Sequence, residues 1–213
     1  MNQNVYREYL AILREEIVPA LGCTEPIAIA YAAAKARSVL GRLPEHIDVR
    51  CSGNIIKNVK AVIVPTTGNM KGIETSAVLG AVGGNPDKKL EVLTDVSPKD
   101  LELTWELLRK KICSVSLLEG VSNLQIIVEM TAGQESALVE IAFSHTNIVR
   151  ITVNGETVTS APCDMTIMDW ATGTVAYQGE TYEGIVDGAF EESTFRSAPY
   201  FTLRIDGIVE DAQ

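Results

Sequence analysis

The sequence is poor in the residues that most often announce a chemistry. It has two histidines, His46 and His145, and four cysteines, Cys23, Cys51, Cys113 and Cys163, in 213 residues. So few histidines argue against a His-rich zinc site or Ser-His-Asp catalysis. The cysteines form no CxxC pair and no tight framework, so free thiols or metal ligands in a reducing cytoplasm are expected rather than disulfides. Positive charge is scarce as well, with 18 Lys+Arg against 28 Asp+Glu and a net charge near −10. That balance argues against a surface that tracks nucleic-acid phosphates or anionic lipid, so no nucleic acid and no membrane is expected as a partner. Long apolar runs are missing: the stretch Ile27 to Ala34 falls far short of the roughly 20 residues a membrane span needs. The start MNQNVYREYL lacks the basic and apolar regions of a signal peptide. Neither GxGxxG nor GxxxxGK[ST] occurs, which leaves a Rossmann or Walker site without support.

What remains is a globular composition, 46% hydrophobic and 22% charged, in a length suited to one large domain or two small ones. Val5, Tyr9, Leu13 and Ile17 recur at helical spacing and predict an amphipathic helix over 4–20, ended by Pro19 and Gly22. A second helix is predicted from Thr24 to Gly41, with Thr24 as N-cap, Glu25 at the positive end of the dipole and Pro26 in the first turn. Its alanine density implies close packing against another backbone. The period then changes. Strands are predicted at His46–Ser52, Val59–Val64, Leu90–Thr94, Ile112–Leu117, Leu124–Thr131, Ala137–Ser144 and Ile148–Val153, the last two as a hairpin across His145-Thr146. Helices are predicted at Ile73–Val82 and from Pro98 to Arg109, the latter capped by Ser97 and burying a stripe of Leu101, Trp105 and Leu108. Asn154-Gly155 signals a tight turn. From 158 to 213 the sequence turns to Thr, Gly, Asp and aromatics, with short strands expected at 173–178, 181–186 and 199–205. The expected fold is α+β: N-terminal helices packed on a mixed or antiparallel sheet (1–157), followed by a β-rich appendage (158–213).

Three stretches gather candidate chemistry. In Leu21-Gly22-Cys23-Thr24-Glu25-Pro26 a cysteine stands at the mouth of a helix, where free N–H groups lower a thiol pKa and favour thiolate. Such a thiolate can be a nucleophile or a ligand for an iron–sulfur cluster; the plainer alternative is a small buried residue between two helices. In Ser52-Gly53-Asn54-Ile55-Ile56-Lys57-Asn58, a hydroxyl, two amides and an amine fall together between strands, as in a site for a carboxylate or amino acid, or in a solvated turn. Thr66 through Glu74 is a Gly-containing loop running into a helix, suited to anions. Gly80 through Gly84 reads as a helix end. Cys51 and Cys113 read as core residues, Cys163 has no nearby partner, His46 stands at a strand start and His145 at a hairpin tip.

Together these motifs carry a resemblance. Ala20-Leu21-Gly22-Cys23-Thr24-Glu25-Pro26-Ile27-Ala28 resembles the opening signature of the L-cysteine desulfidase family, related to the α chain of iron–sulfur L-serine dehydratases. The likeness continues in Ser52 through Val59, Val64 through Gly72 and Leu79 through Gly84, and fades near Asn154-Gly155, so it covers about the first 155 residues. It implies a cytoplasmic, homo-oligomeric lyase that uses a [4Fe–4S] cluster held by three cysteines, one iron being left open to the substrate as a Lewis acid. The reaction implied is β-elimination of L-cysteine or L-serine to pyruvate, ammonia and sulfide or water. Cys23 matches the first cluster cysteine; Ser52, Asn54, Lys57 and Asn58 match a motif for substrate or anion contact. Members of that family are longer, and their other two cluster cysteines lie in a helical C-terminal half that Cys51, Cys113 and Cys163 do not match. The expectation is therefore the N-terminal part of a lyase (from a truncated gene, an isolated domain, a fusion or a split enzyme with a second chain), with the cluster incomplete in this chain. A silent ligand-binding or assembly module is the alternative.

Overall fold

Thr24–Leu40 forms a helix, α1, buried on nearly every side. Its small side chains explain how. Ala28, Ala30, Ala32, Ala33, Ala34 and Ala36 are fully covered, so neighbouring elements approach its backbone directly. Gly41, at φ 80°, turns the chain out of the helix in the left-handed conformation a glycine supplies without strain. The structure, a computed structural model, describes residues 6, 7, 9, 10, 13, 17 and 19–160, together with three short strands further on. It divides into two units, Met1–Ala161 and Pro162–Gln213.

In the first unit β1 (His46–Ser52) is followed by helices α2 (Gly53–Val59) and α3 (Gly72–Gly83), a 3₁₀ segment (Pro86–Glu91) and α4 (Pro98–Arg109). Then come β2 (Cys113–Leu118), β3 (Gln125–Ala132), β4 (Glu135–Ala142), β5 (Ile148–Val153) and β6 (Glu156–Ser160). The six strands form one sheet in the order β2-β1-β3-β4-β5-β6. β1 and β2 run parallel, joined by the helical crossover, and the remaining pairs are antiparallel. The fold is α+β with a mixed sheet. Alternation sets the faces: Ile47, Val49 and Cys51 of β1 join Ile126, Val128 and Met130 of β3 and Val139 and Ile141 of β4 in the core under α1. The other face carries Asp48, Arg50 and Glu129 in an ion-paired line, and Gln125, Glu140 and Arg150 in a second.

Several expectations need correction. Val59–Val64 is not a strand; Val59 ends helix α2, and the residues after it pair only through an isolated bridge, Ile63 to Lys71. Ser52-Gly53-Asn54 is a strand end running straight into α2 rather than a loop. Leu90–Thr94 belongs to the 3₁₀ segment and the turn after it. Cys23, not Thr24, holds the N-cap position of α1. Trp105 is 53% exposed, because α4 turns Thr104 rather than Trp105 to the core. Ser97 does cap α4, in a reciprocal capping box with Asp100. Of the N-terminal helix, Tyr6, Arg7, Tyr9, Leu10 and Leu13 are helical, and Tyr9, Leu13 and Ile17 lie exposed; Val5 lies outside the described residues. Among the described residues no helix is long and apolar enough to cross a membrane.

In the second unit β7 (Ile167–Asp169), β8 (Thr174–Tyr177) and β9 (Glu180–Glu183) form an antiparallel sheet in that order. Cys163 and the strand expected at 199–205 lie outside the described residues.

Candidate functional site

The thiol of Cys23 is exposed at the entrance to α1. Gly22, at φ 80°, makes the turn before it, so tightly that an added Cβ would stand 3.2 Å from Pro65 Cγ. Two residues on, Glu25 folds back over the helix mouth. Cys23 Sγ donates a hydrogen bond to Glu25 Oε2 at 3.1 Å. Asn58 Nδ2, from the last turn of α2, donates to Glu25 Oε1 at 3.1 Å. The carboxylate is thus held from both sides, by the thiol it accepts from and by an amide 33 positions away in the chain.

These contacts reverse the expected protonation of the thiol. Burial, then the hydrogen bond to Glu25 and that residue's negative charge, push the Cys23 thiol up. The backbone N–H of Glu25 pulls it down, as a helix N-terminus should, and is outweighed. Cys23 at rest is a thiol, not the thiolate read from its position in the sequence. Burial alone would raise the Glu25 carboxyl, but hydrogen bonds from Cys23, its own backbone N–H and Asn58, with the charge on His145, hold it below the usual carboxylate range. The unit is a neutral thiol donating to a charged carboxylate, and the Sγ proton leaves when an electrophile or a metal ion takes the sulfur.

His145 stands at the hairpin tip expected from the sequence, which gives no sign of its electrostatic link to Glu25. It sits in the β4–β5 turn, next to Phe143, which holds a left-handed φ of 71°. Its Nε2 atom is buried without a hydrogen-bond partner among the described residues. Burial pushes the imidazole below its ordinary value, while the charge on Glu25 acts in the opposite direction. An unfolded chain therefore takes up this proton at a higher pH than the folded one, so stability rises with pH and is lost as pH falls below the unfolded value of 6.5. Urea denaturation at about pH 5 and about pH 8 should show a smaller acid loss in His145→Asn than in wild type. Equal losses in the two proteins would overturn that expectation.

The remaining sequence candidates separate. Ser52 is buried and its hydroxyl donates to the Asn123 carbonyl at 2.6 Å, tying the end of β1 to the loop before β3. Asn54 and Lys57 are exposed on α2, where i and i+3 share a face. Asn58 alone of the four joins the Cys23 group. Cys51 is fully buried in β1, and burial pushes its thiol up to about 12. Cys113 begins β2 partly buried, and burial, followed by the charges of Glu74 and Asp48, pushes it up to about 12 as well. Among the described residues no three His, Cys, Asp or Glu side chains converge as metal ligands. For a cluster the described residues supply one exposed thiol, Cys23, and do not complete a site by themselves.

The chain is similar to UPF0597 proteins. It is 49% identical over 175 residues to the UPF0597 protein of Lachnoclostridium phytofermentans, an overlap of 81% of this chain and 42% of that protein. It is 46% identical over 162 residues to the UPF0597 protein of Treponema denticola, and 48% over 153 residues to that of Finegoldia magna, covering 38% and 37% of those proteins. The chain thus spans about two fifths of the length of the curated relatives it matches. No family model matches it, and no solved structure does.

Proposed function

We propose that this chain is the N-terminal part of an iron–sulfur-dependent amino-acid lyase resembling L-cysteine desulfidase, acting on L-cysteine or L-serine, with Cys23 as one cluster ligand. The observation that carries the reading is the accessible Cys23 thiol, resting on a carboxylate anchored by Asn58, inside the motif that resembles the family's. The cluster would supply the Lewis-acid chemistry of β-elimination. No step through it follows from the described residues, which furnish one thiol of the set. Their own part is narrower. Glu25 accepts the hydrogen bond of the thiol and Asn58 fixes the carboxylate that does so. Outer partners of this kind orient the residue that binds the metal. The relatives' greater length is consistent with further ligands lying beyond the matched segment.

The test is a chimera in which this chain replaces the matched segment of the Lachnoclostridium phytofermentans relative, reconstituted anaerobically with iron and sulfide. Pyruvate should form from L-cysteine or L-serine. Cys23→Ser should lower kcat/KM by about 100-fold or more, beyond the cost of losing an outer partner, and Asn58→Ala by about 10- to 100-fold. A chimera that takes up a cluster yet makes no pyruvate from either amino acid would sink the reading, as would full activity in Cys23→Ser.

A further inference from the structure

A second feature lies apart from the Cys23 group. Between the start of α3, the end of α4 and the start of β2 there is a cavity of about 280 Å³ lined by Glu74, Leu108, Lys111 and Cys113. None of the four belongs to the Cys23–Glu25–Asn58 set. Glu74 stands in the first turn of α3. Lys111 follows α4 in a left-handed conformation, φ 55°, an unusual backbone state for a residue with a side chain. Neither charge is in an ion pair among the described residues, although Arg42, Arg50, Lys88 and Arg150 all are. Leu108 and the Cys113 thiol form the apolar part of the wall, the thiol neutral at physiological pH because burial pushes it up to about 12.

We propose that this cavity binds a small zwitterionic amino acid with a short apolar side chain. Glu74 receives the ammonium group, Lys111 receives the carboxylate, and Leu108 and Cys113 receive the side chain. The opposite charges on the wall cancel, which favours a ligand that carries both signs and no net charge. A ligand with one charge would meet only one of the two exposed wall groups and gain one charged hydrogen bond in place of two. The volume admits an amino acid of valine size and little more than its hydration. The proposal does not depend on the lyase reading, since none of its residues is shared.

Calorimetry on the whole chain tests it with three probes: L-valine, isobutylamine (valine without its carboxylate) and isovalerate (valine without its amine). L-valine should bind saturably at one site, and the two single-charge analogues should bind at least about tenfold more weakly, as the loss of one charged hydrogen bond requires. Glu74→Gln and Lys111→Met, both at exposed positions, should each weaken L-valine by a similar factor. In wild type the Leu108 methyl resonances should move on titration, which reports occupancy even if a variant is poorly folded. No saturable L-valine binding, an unmoved Leu108, equal binding of either analogue, or unchanged affinity in both variants would each overturn the assignment.

Discussion

Gly80→Ala is expected to destabilise the first unit by about 3 kcal/mol or more, at the upper end of what overpacking costs. A Cβ built on Gly80 stands 2.3 Å from the Ala30 carbonyl oxygen and 2.7 Å from Ala30 Cα. Both are backbone atoms of α1, so no rotamer change relieves the overlap; one helix must move off the other. One turn further on, an added Cβ at Gly84 would lie 2.8 Å from Ala34 Cβ. The two helices are therefore in near backbone contact over at least a turn, and Arg37 closes the seam by donating from Nε to the Ala81 carbonyl and from a terminal guanidinium nitrogen to that of Gly84. Alanine's better helix propensity, about 1 kcal/mol over glycine, opposes the loss but is smaller. Gly53→Ala is the control. Its added Cβ meets only the Leu117 side chain at 3.7 Å, so the clash is absent, and at the first position of α2 the smaller propensity gain should leave a change within about 0.5 kcal/mol or a small stabilisation. Urea melts of the two variants should differ in sign or nearly so. A Gly80→Ala protein as stable as wild type would mean that α1 and α3 are not this close.

That seam was half legible in the sequence. The alanine run of α1 implied a close backbone neighbour, and the Gly80 to Gly84 stretch read as a helix end, but nothing local joins the two. The same division runs through the molecule. His46–Ser52 alternates because one face of a half-covered sheet is buried, and the period survives in the sequence. Val59–Val64 has the β-branched composition of a strand and is not one, because the preceding α2 and the turn at Gly68 leave it a single bridge to Lys71. The helical period puts Trp105 in the core, yet α4 rotates to bury the smaller Thr104. At the site, Cys23 was legible from its place before a helix. Its protonation was not: that depends on Glu25 folding back, and on Asn58 and His145 arriving from α2 and the β4–β5 turn. Those approaches are tertiary, with no spacing or composition to announce them.

Raising the pH should reverse the ranking of wild type and Cys51→Ala. Cys51 is fully buried and without a compensating charge; burial alone pushes its thiol from 9.0 up to about 12. A folded pKa raised above the unfolded one means that the native state keeps a proton the unfolded chain has lost. Stability contributed by Cys51 is therefore complete below pH 9.0 and falls as the pH climbs toward 12. At about 1.4 kcal/mol per pH unit, the loss approaches about 4 kcal/mol by the end of that window. At neutral pH the alanine variant should be the weaker protein, by about 1–2 kcal/mol for the lost sulfur and the space it leaves. Near the top of the window that cost is smaller than the penalty wild type pays for keeping Cys51 protonated, so the variant should become the more stable of the two. Tyr31 also titrates high but is present in both proteins and drops out of the difference; the charge on Cys51 raises Cys113, so its removal relieves Cys113 as well and acts in the same direction. A constant gap between the two proteins across the window would show that water reaches Cys51. Such access would make it a candidate ligand beside Cys23, whereas inversion of the ranking keeps it in the core and leaves Cys23 as the exposed thiol among the three cysteines the structure describes.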